Sequence, residues 1–200
     1  GMGAYSPAPG GTPEVEARIM HEVNEPTLRG MNIDGTPYLG VHTAGRLIMA
    51  DGSPKVIEFN CRMGDPETQP ILMRLNSDLV EICNATLEDR LDKVEAKWDE
   101  RAALGVVMAA GGYPGSYEKG KRIAGLDEDF GDDQKVFHAG TALDGDDVIT
   151  SGGRVLCVVG LGDTVAGAAD RAYDAVDKIC WEDVYLRRDI GHRAIAREQS

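Results

Sequence analysis

Between Val56 and Gln69 the chain reads VIEFNCRMGDPETQ, and no other stretch constrains the backbone as tightly. Glu58, Asn60 and Arg62 alternate with Ile57, Phe59 and Cys61. That period of two belongs to a strand, because a helix cannot sort successive residues onto opposite faces. A strand sends the three polar side chains to one face and the three apolar ones to a core. Gly64 and Pro66 then break the ladder. Such alternation is also what a half-buried strand with a plain solvated face shows, so the polar row reads either as wet surface or as a convergent site.

The surrounding pattern places this strand. Upstream, YLGVHTAGRLIM reads as its hairpin partner, with ADGSP supplying the turn. The first thirteen residues are rich in Gly and Pro and read as loop. Thr12 offers an N-cap, Pro13 suits the first helical position, and Val15, Ile19 and Val23 recur at helical spacing, so a helix is expected from Pro13 to Pro26. Downstream, PILMRL leads to SDLVEICNATLEDRL, a second helical region.

A charged stretch from Lys93 to Arg101 reads as a domain boundary, giving units at 1–95 and 96–200. Beyond it, LGVVMAAGGYPG is a strand entering a Gly-rich turn, and KVFHAGTAL, DVITSG and RVLCVVGLG read as three more strands. Thr164 caps a helix with an apolar stripe through Val165, Ala168, Ala169, Ala172, Val176 and Ile179. VYLRRDIGHRAI reads as a short strand or loop with a terminal turn. The fold class is α+β in two parts, with mostly antiparallel strands.

Composition narrows the function classes. A formal net charge of -13 argues against a nucleic-acid or anionic-membrane partner, which would need clustered Lys and Arg. The longest apolar run, GVVMAA, falls far short of the roughly 20 residues of a membrane span. No charged-then-apolar leader pattern appears at the start, which reads as the middle of a longer polypeptide. Cys61, Cys83, Cys157 and Cys180 are scattered without a Cys-x-x-Cys pair, so a reduced, cytoplasmic setting is expected rather than a zinc site.

Glu58 and Asn60 carry a carboxylate and an amide oxygen, hard ligands suited to Mg2+. Arg62 brings a planar fork for phosphate or carboxylate oxygens. Asp65 and Glu67 flank Pro66, where acids also suit the first turn of a helix. Arg187, Arg188 and Asp189 make a second charged cluster, equally readable as a solvated ion pair. His42 and His138 are isolated and read as structural. The strand, Gly160-x-Gly162 and following helix imitate a dinucleotide fingerprint, but Val165 occupies the third glycine position and too little chain follows for the rest of that unit.

The E-x-N-x-R strand resembles the metal-binding strand of ATP-grasp ligases, and NCRMGDPETQP is similar to the signature of the phosphoribosylamine–glycine ligase family, also called glycinamide ribonucleotide synthetases. The resemblance runs in order through GMGAYSPAP, GTPYLGVHTAGRLIM, KVIEFNCRMGDPETQPIL, SDLVEIC, GVVMAAGGYPG, HAGTA, GGRVLCVVGLG and YLRRDIGHRAI. It implies the second half of an ATP-grasp domain followed by a small α+β C-terminal domain. The family's N-terminal domain and ATP-gripping lid have no counterpart in these 200 residues.

The implied reaction activates glycine with ATP to a glycyl phosphate, which 5-phosphoribosylamine attacks, releasing ADP and phosphate. By match, Glu58 and Asn60 would be ligands of Mg2+ or Mn2+ at the ATP site, and Arg62 would steady the transferred phosphoryl. Asp65 or Glu67 would meet a substrate amine. Gly3 and Ser6 would line the site, and Arg187 and Arg188 would suit the ribose phosphate. A non-catalytic fragment, or another ATP-grasp carboxylate-amine ligase, stands as the alternative.

Overall fold

The computed structural model describes residues 1–199. In chain order the elements are β1 (Gly3–Ser6), α1 (Pro13–Ile19), a π-helical turn (Met20–Asn24), α2 (Glu25–Ile33), β2 (Thr43–Ile48), β3 (Pro54–Asn60), α3 (Thr68–Met73) and α4 (Leu79–Leu87). A 3-10 turn (Leu91–Lys93) follows, then β4 (Ala102–Ala109), β5 (Gln134–His138), β6 (Thr141–Asp144), β7 (Asp147–Thr150), β8 (Arg154–Gly162), α5 (Val165–Val176) and α6 (His192–Glu198).

These elements form two compact units. One contains residues 1–6, 65–74 and the chain from Asp99 onward; the other contains residues 7–64 and 75–98. The chain therefore crosses between them four times, at 6/7, 64/65, 74/75 and 98/99.

The first unit is built on an antiparallel sheet of order β1-β4-β8-β5. β4 and β8 are covered on both faces, which is why their sequences are nearly continuous apolar runs. Leu104, Val106, Met108, Leu156 and Val158 face a core completed by the alanine stripe of α5. Ala103, Val107, Cys157, Val159 and Leu161 face the other way, with Met2, Met73 and Phe137 packed on them. Thr164 caps α5, its Oγ1 accepting from the Gly167 amide at 3.0 Å, and the Glu198 carboxylate accepts from Val165 and Ala166 amides at 2.8 and 3.1 Å.

Gly160-x-Gly162 has a packing role. A Cβ on Gly160 would meet Ala168 O at 2.5 Å, and one on Gly162 would meet Ala168 N at 2.3 Å, so the glycines let α5 lie directly on β8.

Five sequence expectations are corrected. The opening residues are not all loop, since β1 pairs with β4 along its whole length. A strand of Gly, Ala, Tyr and Ser has no alternation to reveal it; its pairing is decided by a partner a hundred residues on. The first helix does not stop at Pro26: the π-helical turn precedes Pro26, which sits in the first turn of α2, where a missing N–H costs nothing. KVFHAGTAL divides into β5 and β6, and the terminal turn is a helix, α6.

The fifth correction concerns β3 in the second unit. It pairs with β2 as the hairpin pattern implies, but Ile57 is 64% exposed and Phe59 47% exposed, and Cys61 is exposed as well. The β2–β3 ladder is a two-stranded sheet, and these three side chains are left largely open while Ala44, opposite Phe59, is buried.

Candidate active site

In the second unit the site begins with the β2–β3 register. Glu58 lies opposite Gly45, and Asn60 opposite Thr43. A Cβ at Gly45 would come within 3.1 Å of Glu58 Cγ, so glycine there gives the Glu58 side chain room to lie over the neighbouring strand. Asn60 Nδ2 donates to Glu58 Oε1 at 3.2 Å, which holds both side chains on one face and leaves the amide oxygen and the second carboxylate oxygen available.

This pair fits a divalent cation by its donor chemistry: two hard oxygens on a rigid ladder. Among the described residues no group of three or more His, Cys, Asp or Glu side chains gathers as a metal site. A cation held by Glu58 and Asn60 would therefore take its remaining oxygens from water or phosphate, as Mg2+ ordinarily does.

Arg62 lies past the end of β3. Its guanidinium donates to the carbonyl of Met63 at 3.1 Å, and its own carbonyl accepts from Thr43 Oγ1 at 3.1 Å. On the apolar side of the hairpin, Phe59 stacks on His42 with ring centroids 5.2 Å apart, and Tyr38 meets His42 edge-on at 6.3 Å.

The other sequence-predicted residues belong to the first unit. A cavity of about 460 Å3 is lined by Gly3, Tyr5, Glu67, Arg187, His192 and Arg193, among others. Gly3 is required there for close approach, since a Cβ would strike Gly105 O at 2.6 Å and Ile190 Cγ2 at 2.7 Å. Arg187 pairs with Asp189 through Nε–Oδ1 at 2.8 Å and Nη2–Oδ2 at 2.5 Å, and the Asp189 carboxyl is lowered by that hydrogen bond. Arg188 is directed elsewhere: it bonds Asp177 at 2.5 Å and lies over the Tyr173 ring at 5.6 Å.

Ser6 is held rather than free, its Oγ accepting from Arg74 Nη1 at 2.8 Å while the same guanidinium donates to the carbonyls of Arg101 and Asp99 at 2.8 and 3.0 Å. Asp65 pairs with Arg154, Nη2 to Oδ2 at 2.6 Å. The structure thus brings Gly3, Glu67 and Arg187 to one cavity and Glu58 to Asn60. Sequence reasoning missed Arg74, Arg154, His192 and Arg193. Of these, His192 and Arg193 lie in the quoted YLRRDIGHRAI segment and Arg154 in GGRVLCVVGLG, but nothing local in either segment pointed to those side chains.

Comparison with known proteins gives this arrangement a context. Residues 1–68 match the model for the ATP-grasp (A) domain of phosphoribosylglycinamide synthetase, and residues 103–193 match the model for its C domain. The phosphoribosylamine–glycine ligase of Allochromatium vinosum is 64% identical over 200 residues, covering all of this chain and 47% of the relative. That of Vibrio cholerae is 60% identical with the same coverage. The crystal structure of the phosphoribosylamine–glycine ligase from Thermotoga maritima superposes with a TM-score of 0.82 at 34% identity, over 95% of this chain and 46% of that one. The chain spans about half the length of the relatives it matches. Two domain models in family order, together with 64% identity over all 200 residues, mean that the chain belongs to the phosphoribosylglycinamide synthetase family.

Proposed function

We propose that this chain is the carboxyl-terminal part of an ATP-dependent ligase that joins glycine to 5-phosphoribosylamine through a glycyl phosphate, giving glycinamide ribonucleotide, ADP and phosphate. The observation that carries the reading is the Glu58–Asn60 pair: Asn60 Nδ2 donates to Glu58 Oε1 at 3.2 Å, which sets a carboxylate and an amide group side by side on the strand that runs into GDPETQ. Glu58 and Asn60 hold a divalent cation, Mg2+ or Mn2+, at the phosphates of ATP. Bound there, the cation neutralises phosphate charge. Arg62 steadies the oxygens of the transferred phosphoryl and of the acyl phosphate, a role that needs its guanidinium to leave the Met63 carbonyl.

In the cavity, Glu67 offers a carboxylate to a cationic amine, Asp65 supports the same segment, and Arg187 offers its fork to the ribose phosphate. Gly3 lets the backbone approach closely, and Ser6, held by Arg74, anchors the end of β1 beside the cavity. Arg188, paired with Asp177, would have to leave that partner to reach the ribose phosphate. Such a reaction works by placement and charge stabilisation, so no covalent nucleophile is required. Among the described residues no helix is long and apolar enough to cross a membrane, and we place the enzyme in the cytoplasm with small-molecule partners only.

The test uses a full-length protein in which this chain replaces the matching region of the Allochromatium vinosum ligase. Glu58→Gln removes one anionic oxygen ligand and leaves the β2–β3 ladder intact. Turnover should fall by about 100-fold or more, by analogy with loss of a group that stabilises transition-state charge, and the Mg2+ concentration for half-maximal rate should rise. Parent turnover at ordinary Mg2+ would overturn the assignment.

A further inference from the structure

We propose that Arg154 is a positioning residue that fixes Asp65 and, through it, the segment carrying Glu67. The inference rests on the ligase reading for its kinetic part and on geometry alone for its structural part.

The local fold aims this arginine. β8 runs antiparallel to β4 in regular register until Leu156 faces Met108, after which Arg154 faces Ala109, one residue having been skipped. The extra residue is a β-bulge, which re-aims the side chain beyond it. Val155 and Leu156 consequently both enter the core under α5, and Arg154 turns to the face on which Cys157 and Met2 lie.

The turn before it is equally determined. The Gly153 carbonyl accepts from Ala110 N at 2.8 Å, and a Cβ on Gly153 would strike the Tyr113 ring at 2.5 Å. Gly140 and Gly152 meet with the same economy, a Cβ on Gly140 falling 2.7 Å from Gly152 Cα. The AAGGYPG and SGGR segments thus interlock, and Arg154 is what they present.

What Arg154 touches supports one role. Nη2 bonds Asp65 Oδ2 at 2.6 Å, while Nη1 donates to the Asp65 carbonyl at 3.2 Å and the Gly1 carbonyl at 3.1 Å. Its side chain is 24% exposed, against 59% for Asp65. The more buried partner is the cation, so the sheet supplies a fixed charge to which a surface carboxylate is anchored. Backbone and side chain of Asp65 are gripped together, two residues before Glu67, and Gly1 is gripped two residues before Gly3. One guanidinium therefore sets the separation of two segments that line the cavity. A lysine, with a single ammonium, cannot reproduce the fork.

The experiment compares Arg154→Met, Arg154→Lys, Asp65→Asn and the Arg154→Met/Asp65→Asn double variant in the full-length chimera. Hydrogen exchange of the amides at 65–69, excluding Pro66, reads the structural claim without turnover. Exchange there should rise at least tenfold in Arg154→Met, and by less in Arg154→Lys. Glycine-dependent phosphate release should fall at least tenfold in Arg154→Met and in Asp65→Asn, and the double variant should be no slower than the slower single one. Unchanged exchange in both Arg154 variants would overturn the proposal, as would losses that multiply in the double variant. A parent chimera with no glycine-dependent phosphate release would instead refute the ligase reading, and exchange would still decide the role of Arg154. Arg154→Lys provides the comparison if Arg154→Met does not fold.

Discussion

Replacing Gly160 by alanine tests whether the Gly160-x-Gly162 turn is a packing device. The added Cβ would sit 2.5 Å from Ala168 O and 2.6 Å from Ala172 N, both backbone atoms of one turn of α5. Restoring ordinary contact at 3.4 Å requires α5 to retreat by about 0.9 Å from β8. That retreat loosens a helix whose Val165, Ala168, Ala169, Ala172, Ala175 and Val176 are all buried. Overpacking of a core costs about 1–3 kcal/mol when side chains can yield. Here backbone faces backbone, so the upper end, about 3 kcal/mol, is expected. With a urea slope of about 2 kcal/mol/M, the midpoint should fall by about 1.5 M. Fluorescence of Trp181, buried in the same core, follows the transition in a Trp98→Phe background. Gly167→Ala is the control on the same helix: its Cβ would meet only Thr164 Oγ1 at 3.5 Å and Gly162 Cα at 3.9 Å, so it should be neutral or stabilising by up to about 1 kcal/mol. Gly160→Ala within 1 kcal/mol of the Gly167→Ala variant would refute the reasoning.

Two further predictions concern titration. Burial pushes the Cys157 thiol up to about 12, whereas Cys61, Cys83 and Cys180 are exposed. At pH 8 a thiol-directed reagent should modify those three quickly and Cys157 only on unfolding; rapid modification of Cys157 would contradict its environment. Because its folded value is raised above the ordinary thiol value of about 8.5, its contribution to stability is present below that pH and is lost as pH climbs toward 12. On the acid side, a hydrogen bond from Arg101 holds the Asp99 carboxyl down at about 2. Its stabilisation is present above the ordinary carboxyl value of about 3.9 and is lost as pH falls through 2. The urea midpoint should therefore drop between pH 4 and pH 2, and Asp99→Asn should flatten that drop; an unchanged slope would assign it to other carboxylates.

How much of this was legible depended on whether local sequence carried the cause. The β2–β3 hairpin, the cap at Thr164 and the stripe on α5 were readable because short-range periodicity and capping decide them. The Glu58–Asn60 adjacency was readable for the same reason, being a consequence of the pleat. β1 was not, because Gly3 and Ala4 have no pattern and their partner is Gly105 and Val106. The passage of the helix through Pro26 depended on a π-helical turn that propensity does not signal. The fate of Ile57 and Phe59 was misjudged because alternation identifies two faces without saying what covers them. Arg154 was invisible because its target, Asp65, is 89 residues away and its aim depends on a bulge that only the β4–β8 register reveals.

Phosphate release from ATP by the chain grafted into the full-length Allochromatium vinosum background tests the functional account most directly. The account predicts release that requires both glycine and 5-phosphoribosylamine, with glycinamide ribonucleotide formed in equal amount. A folded protein that releases no phosphate with both substrates present, or releases it equally without glycine, would contradict the account.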